Sequence, residues 1–336
     1  MPITKRRERL DRGIKVRTTG LYGLLSWREM SYVLVPRLAL IVGLLILPLL
    51  MPNQYWQKVI CLMVVNAMLA LVFDFLAEFV GLICLGGALF VGVGAYTTAQ
   101  LNTALGLPIF LSIPLATIGG AIFCTVLLLP CLPLRGIYFA IVTLIYPLLG
   151  ARIVTALDVL GSTNGIFGLD GFPNIWFELY TIIGSSLIAL FGIRRFVGQD
   201  IGLVLRGVKD NDQAIKACGM SVTYYKALAV FIGSGIGCFA GAYMAHLYQW
   251  AGLSLFALDF SIMPIAASIV GGLGTLAGPM LGAFILTPLS EILRTLGGLR
   301  IALYALILVI FILFRTEGVL NYVQRKYHQT ERWKEV

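Results

Sequence analysis

The sequence predicts an all-α polytopic membrane protein of about ten transmembrane helices, in two five-helix halves of inverted relation, with a short helix on the cytoplasmic side. Three observations predict this. The chain of 336 residues is 59% hydrophobic and 12% charged, with a mean hydropathy of +0.92, whereas a soluble domain is about 25% charged. Apolar runs of membrane-crossing length recur between polar or Gly/Pro-rich breaks. Basic residues cluster: of 25 Lys/Arg, nine lie in 1–37, six in 194–226 and five in 315–336, with Arg135 between them. That is the distribution of loops on one side of a membrane, so both termini are expected in the cytoplasm. It also accounts for the net charge of +9 without nucleic acid, since no aromatic-plus-basic RNA motif accompanies it.

Residues 1–32 read as a basic cytoplasmic tail that touches anionic lipid and fixes orientation. No apolar stretch precedes Val33, so the first span is expected to act as an uncleaved insertion signal. The region 33–193 holds about five to six spans. The first, Leu34–Leu50, ends at a Pro52-Asn53 turn. The second, Val59–Phe79, carries Asp74 and Glu78 four residues apart, on one helix face. The third, Gly81–Leu101, contains Gly81, Gly86, Gly87, Gly92 and Gly94, each costing a helix about 1 kcal/mol relative to Ala. Such a segment packs very closely or breaks beside a cavity. The fourth, Ile109–Leu132, ends between Pro130 and Pro133, and Arg135-Gly136 turns into the fifth, Ile137–Ala156. The interval Leu157–Asn174 is rich in Gly, Ser, Thr and Asn and lacks Lys and Arg; it reads as an ordered outer loop. The sixth span is Ile175–Ile193.

Residues 194–226 form the one long polar interval between apolar parts. Asp200 is placed to cap a helix over Ile201–Val208, and Asp210 or Asn211 to cap a second over Asp212–Cys218. Gly219 stands where a C-cap glycine belongs. The region 227–315 opens with a seventh span, Ala227–Tyr248, followed by Trp250 as a membrane-interface aromatic. Two short apolar stretches, Ser261–Val270 and Pro279–Leu293, flank a glycine-rich link and fall short of the ~20 residues needed to cross. The tenth span is Gly298–Phe314, and 316–336 is a second basic cytoplasmic tail. Five spans to a half is an odd number, which inverts one half against the other. A Gly-interrupted segment in each, Gly81–Gly94 and Gly271–Gly282, matches a transporter pattern with the site between the halves.

Covalent chemistry is not expected. There is no phosphate-cradling G-x-x-x-x-G-K-S/T loop, two histidines cannot furnish a triad beside a metal site, and the six cysteines show no paired spacing. No metal, cofactor or catalytic residue is therefore assigned. Passage of a solute remains. Ion-driven carriers bury titratable groups at mid-membrane; the candidates Asp74, Glu78, Arg152 and Glu291 all fall near span ends and read as interfacial groups reaching water. A charge-poor interior directs attention to energy supplied from outside, through 194–226.

The segment DNDQAIKACGMSVTYYKALAVF (Asp210–Phe231) resembles the coupling-loop region of ABC importer permeases of the branched-chain amino acid type. Asp210, Asp212, Ala214, Ala217, Gly219, Val222, Tyr225, Lys226 and Ala227 carry the likeness. LGGALFVGVGAY (Leu85–Tyr96), LRGIYFAIVTL (Leu134–Leu144), GSTNGIFGL (Gly161–Leu169), SIVGGLGTLAGPMLGAFIL (Ser268–Leu286) and FRTEGVL (Phe314–Leu320) resemble further segments of that family, in the same order. The likeness covers about 58–320 and is greatest to the LivM-like member of the permease pair.

The resemblance implies a membrane subunit with no cofactor and no enzymatic activity of its own. Its partners would be a sister permease, two cytoplasmic ATP-binding subunits and a periplasmic solute-binding protein. It implies ATPase coupling at Asp210, Asp212, Gln213, Ala214, Lys216, Ala217, Gly219 and Tyr225. The translocation path would run by Gly81, Gly86, Gly87, Gly94, Tyr96, Tyr138, Thr143, Gly271, Gly272 and Gly274, unless these glycines serve packing alone. Thr163, Asn164 and Gly165 would meet the binding protein. The chain departs from the family at Leu82, Cys84, Gly87 and Ile137, where polar residues are common, so its pathway is less polar. Hydrophobic amino acids are the expected solute. Urea-type permeases share most of these motifs, and a stand-alone channel or carrier is the rival.

Overall fold

One helix is buried along most of its length. The computed structural model describes residues 7–9, 48, 53–134, 136–157, 161–293, 309, 318–321 and 333–335. The expected first and tenth spans lie outside these apart from Pro48 and Val309, as does most of both tails. The buried helix is α1, Gln54–Asp74, which runs on as a π-helical turn over Phe75–Val80. Of its apolar window 89% is buried, against 39% for the fourth expected span and 28% for the fifth and sixth. Its mean composition is apolar on every side, as an interior helix requires.

The chain continues as α2 (Gly87–Thr103), α3 (Ile109–Leu128), α4 (Ile137–Ala156) and α5 (Ile175–Val197), of which α5 packs on α1. The polar interval forms α6 (Asp200–Asp210) and α7 (Asp212–Ala217). The chain then returns as α8 (Val222–Tyr248) and two shorter helices, α9 (Asp259–Gly271) and α10 (Ala277–Ile292). Among the described residues five helices are long and apolar enough to cross a membrane: α1 with its π turn, α3 to Cys131, α4, α5 and α8. The expected spans over 59–79, 109–132, 137–156, 175–193 and 227–248 coincide with these. Two short strand pairings complete the described structure: β1 (Arg7–Arg9) antiparallel to β4 (Trp333–Glu335), and β2 (Ile166–Phe167) antiparallel to β3 (Trp250–Ala251).

The packing is reciprocal. α8 packs on both α2 and α3, while α1 packs on both α9 and α10; the pairs α2–α3 and α9–α10 are themselves in contact. Helices in lipid have no hydrophobic drive toward one another, so close approach at small residues holds them. The third expected span shows how. A methyl at Gly94 would lie 2.1 Å from the Cys238 carbonyl oxygen of α8, and one at Gly241 would lie 2.0 Å from the Val91 carbonyl oxygen. In the other part, Gly282 would meet the Ala267 carbonyl at 1.9 Å.

One expectation changes here. The third span is not helical from Gly81: residues 81–86 form an irregular stretch that opens at Gly81 with φ +79°, and the helix begins at Gly87. Among the described residues α1–α5 precede the central segment and α8–α10 follow it.

Candidate functional site

The site is built where α6 and α7 meet the end of α1. The α6 helix buries Gly202, Leu205 and Val208 and sets them against the π turn, while Leu203 remains exposed. The α6 helix thus has one face on protein. Arg206 stands 5.3 Å from the ring centroid of Phe79, a cation–π contact. Lys209 Nζ donates to Glu78 Oε2 at 2.8 Å and to the Glu78 carbonyl at 2.9 Å. Lys209 also passes so near Gly81 that a methyl there would sit 3.1 Å from its Cγ.

The α7 helix follows without a linker. The Asn211 side chain accepts from the amides of Gln213 and Ala214, at 2.9 and 3.3 Å, so Asn211 is the cap that the sequence offered beside Asp210. Asp200, expected to cap α6, is instead its first residue; the cap position is Gln199, which makes no side-chain cap bond. At the far end Gly219 has φ +78° and its amide donates to the Lys216 carbonyl, the left-handed stop that glycine makes without a Cβ penalty. No residue of α7 is buried. Gln213, Ala214, Lys216, Ala217 and Cys218 are all exposed, small or polar, on one capped helix.

That exposed helix is fixed to a membrane helix at one point. Lys226, in the first turns of α8, bonds Asp212 of α7 at 3.1 Å, and the two side chains are only 6% and 11% exposed. Tyr225 beside it packs on the core. A polar cleft of about 250 Å³ lies between Gly81, Gly136, Lys209, Asp210, Asp212 and Lys226.

Asp74, expected to reach water near a span end, is fully buried. Its Oδ1 accepts from the Gly274 amide at 2.7 Å and its Oδ2 from the Leu276 amide at 3.0 Å. The carboxylate thereby holds the glycine-rich link of α9 and α10, including Leu276 at φ +60°. A non-glycine residue persists there only when its surroundings hold it. Gly318 packs on the same link, where a methyl would lie 2.4 Å from Gly272 Cα. The two acids therefore tie one helix end to two partners, Glu78 to α6 and Asp74 to the α9–α10 link.

The residues expected along a pathway fall in different surroundings. Gly87, Gly94 and Gly271 sit at backbone contacts of 2.5, 2.1 and 1.8 Å for an added methyl. Gly86 is buried beside Thr143, whose hydroxyl accepts from the Leu85 amide at 3.0 Å and secures the irregular 81–86 stretch. Gly272 is buried, Gly274 is exposed at the link, and Tyr138 is exposed on α4. Tyr96 stacks on Phe256 at 5.7 Å between ring centroids. Thr163 and Asn164 are exposed at the loop tip and Gly165 is buried under Trp250. Trp250, expected at the lipid interface, is half-exposed, donates to the Asn164 carbonyl at 3.1 Å and stacks on Phe167.

Sequence reasoning passed over two residues. His246 is buried at the opposite end of α8. Its Nε2 lies 3.1 Å from both Thr98 Oγ1 of α2 and Ser112 Oγ of α3, and its Nδ1 lies 2.8 Å from the Asp170 carbonyl of the outer loop. Asn66, midway along α1, donates to Thr287 of α10 at 3.3 Å. A lone His or Asn inside an apolar run is the signal that marks both.

Five apolar helices long enough to cross a membrane, packed with shorter apolar ones, define a multi-pass membrane protein. The chain belongs to the family described as the branched-chain amino acid transport system / permease component, whose model matches residues 55–315. It is 28% identical over 271 residues to the high-affinity branched-chain amino acid transport system permease protein LivM of Salmonella typhimurium, covering 71% of this chain and 64% of that one. It is 27% identical, with the same coverage, to the protein of that name from Escherichia coli. A probable LivM permease of Methanocaldococcus jannaschii is 26% identical over 62% of this chain and 68% of its own. The chain thus spans less than two thirds of the length of the first two relatives. No solved structure matches it significantly.

Proposed function

We propose that this chain is the membrane subunit of an ATP-driven importer that moves branched-chain or other hydrophobic amino acids across the bacterial inner membrane. It works with a sister permease, two cytoplasmic ATP-binding subunits and a periplasmic solute-binding protein. The observation that carries this reading is the capped helix α7, which buries none of its residues fully and exposes Gln213, Ala214, Lys216 and Ala217, joined to α8 by the sheltered Asp212–Lys226 pair. A helix with small exposed residues at Ala214 and Ala217 suits a socket on an ATP-binding subunit. Its displacement reaches α8 through Lys226. Displacement of α6 reaches α1 through Lys209–Glu78 and Arg206–Phe79, and Asp74 passes it to the α9–α10 link.

Ten spans follow if 34–50 and 298–314 cross beside the eight apolar helices, which leaves both termini in the cytoplasm. Equal halves then divide in the outer loop after α4 rather than at Arg194. The reciprocal packing of α1 on α9–α10 and α8 on α2–α3 supports such inverted halves. The pathway is assigned to the third and fifth spans and the α9–α10 link, with Tyr138 on the face open to a sister subunit. Thr163 and Asn164, exposed at the outer loop tip, suit contact with a binding protein.

Reconstitution in proteoliposomes tests this reading. With sister permease, ATP-binding subunits and binding protein present, leucine uptake should require ATP. Uptake that persists without the ATP-binding subunits would establish the stand-alone carrier instead, and uptake of urea but not leucine would move the substrate to small amides.

A further inference from the structure

On the side of the bundle away from α9 and α10, the helices α2, α3 and α4 enclose a cavity of about 550 Å³, within the roughly 300–1,000 Å³ of ligand sites. Its walls are mostly aliphatic and aromatic, among them Leu89, Val93, Phe123 and Ile153, with Thr97 and Gln100 as polar members, and Phe256 closes one side. No charged side chain is among the residues that line it. A free amino acid would have to leave water with two charges and find an opposite charge for neither, so the transported solute is a poor occupant. Phe123 and Ile153, 56% and 55% exposed, form the open edge. That edge lies on α3 and α4, whose outer faces carry further exposed apolar residues such as Ile122 and Leu149.

One polar group in the cavity wall is left over. Tyr96 is 5% exposed, and its hydroxyl has no hydrogen-bond partner among the described residues. A buried hydroxyl without a partner is disfavoured, and native structures seldom retain one without a ligand or water to meet it. The cavity therefore offers a long apolar surface with an unpartnered tyrosine hydroxyl in its wall.

We propose that this cavity holds one acyl chain of a membrane phospholipid, whose ester carbonyl oxygen accepts a hydrogen bond from Tyr96 Oη. The bilayer supplies such chains at the open edge. Filled, the cavity supports Phe256 where it wedges between Gly92 and Gly150, whose added methyls would lie 2.2 and 2.8 Å from its ring. The bound chain thus steadies the three helices from the side that the rest of the bundle does not reach.

The test uses the full chain in nanodiscs of phosphatidylethanolamine and phosphatidylglycerol, doped with a phosphatidylethanolamine bearing a diazirine along one acyl chain. After illumination, peptide mapping should find the label on α2, α3 or α4 at cavity residues such as Val93 and Leu127, above the level at the exposed α5 residue Ile188. Gly119→Phe adds bulk at a position where a methyl meets nothing within 4 Å, so it should fold and cut cavity labelling about tenfold. Tyr96→Phe removes only the hydroxyl and should reduce labelling several-fold while leaving the label at Ile188 unchanged. Cavity labelling no higher than at Ile188, or equal in all three proteins, would overturn the proposal. So would labelling in nanodiscs that disappears when the sister permease is bound, because the cavity would then be a socket for a protein helix.

Discussion

Replacing Asp74 probes the junction most sharply, because its carboxylate is fully buried and serves two backbone amides of one strained loop. A hydrogen bond to a charged group contributes about 1.5–3 kcal/mol, and a buried amide left unpaired costs about 1–3 kcal/mol. Asp74→Asn keeps the shape and one acceptor, but its amide nitrogen faces an amide N–H. It should destabilise the protein by about 2–3 kcal/mol, within the range for one lost charged bond and one orphaned donor. Asp74→Ala removes both acceptors and should cost about 3–5 kcal/mol, as for other breaks in a buried polar network. Loss of folded protein on heating in detergent measures the ranking. Hydrogen exchange localises it: the amides of Gly274 and Leu276 should exchange faster, whereas those of the His246 cluster should not change. If both variants stay within about 0.5 kcal/mol of the parent, the level of an indifferent surface change, Asp74 does not hold the link and the junction is misassigned.

Other changes test the remaining contacts. Gly94→Val places a side chain into the Cys238 carbonyl and should abolish folded protein in the membrane, seen as loss of a monodisperse peak in detergent. Gly119→Val, with open space around it, should leave that peak intact. Lys226→Met leaves Asp212 sheltered without its cation, a loss of about 1–3 kcal/mol once the partial exposure of Asp212 is allowed for; the double variant Asp212→Asn/Lys226→Met should recover part of it. His246→Phe leaves the hydroxyls of Thr98 and Ser112 and the Asp170 carbonyl without their shared partner. It should cost about 2–4 kcal/mol, summed from buried groups at about 1–3 kcal/mol each and relieved where water enters. The outer loop should then become open to protease.

The spans were legible because apolar runs near twenty residues permit few alternatives in lipid: the fifth span has the same bounds in sequence and structure, Ile137–Ala156. The α7 helix was legible through Asn211 and Gly219, two residues whose capping chemistry is local. Asp74 was not, since its partners lie 200 and 202 residues away, and distance in sequence concealed that an acid near a span end turns inward. The pairing of Trp250 with Phe167 was hidden for a similar reason, since the two strands lie far apart in the chain. The glycines of the third span were legible only as a pair of alternatives, and which of them contact a neighbouring backbone depends on where α8 crosses.

The coupling role of α7 has a direct test built into the chain. Of its six cysteines five are buried, and Cys218, next to Gly219 at the end of α7, is exposed. Maleimide labelling of the purified permease should therefore modify Cys218 first, and bound ATP-binding subunits should slow that reaction by about tenfold or more. A short bismaleimide linker should join Cys218 to a cysteine placed in the socket of the ATP-binding subunit. Labelling at the same rate with and without the ATP-binding subunits, and no cross-link in a complex that transports leucine, would contradict the account.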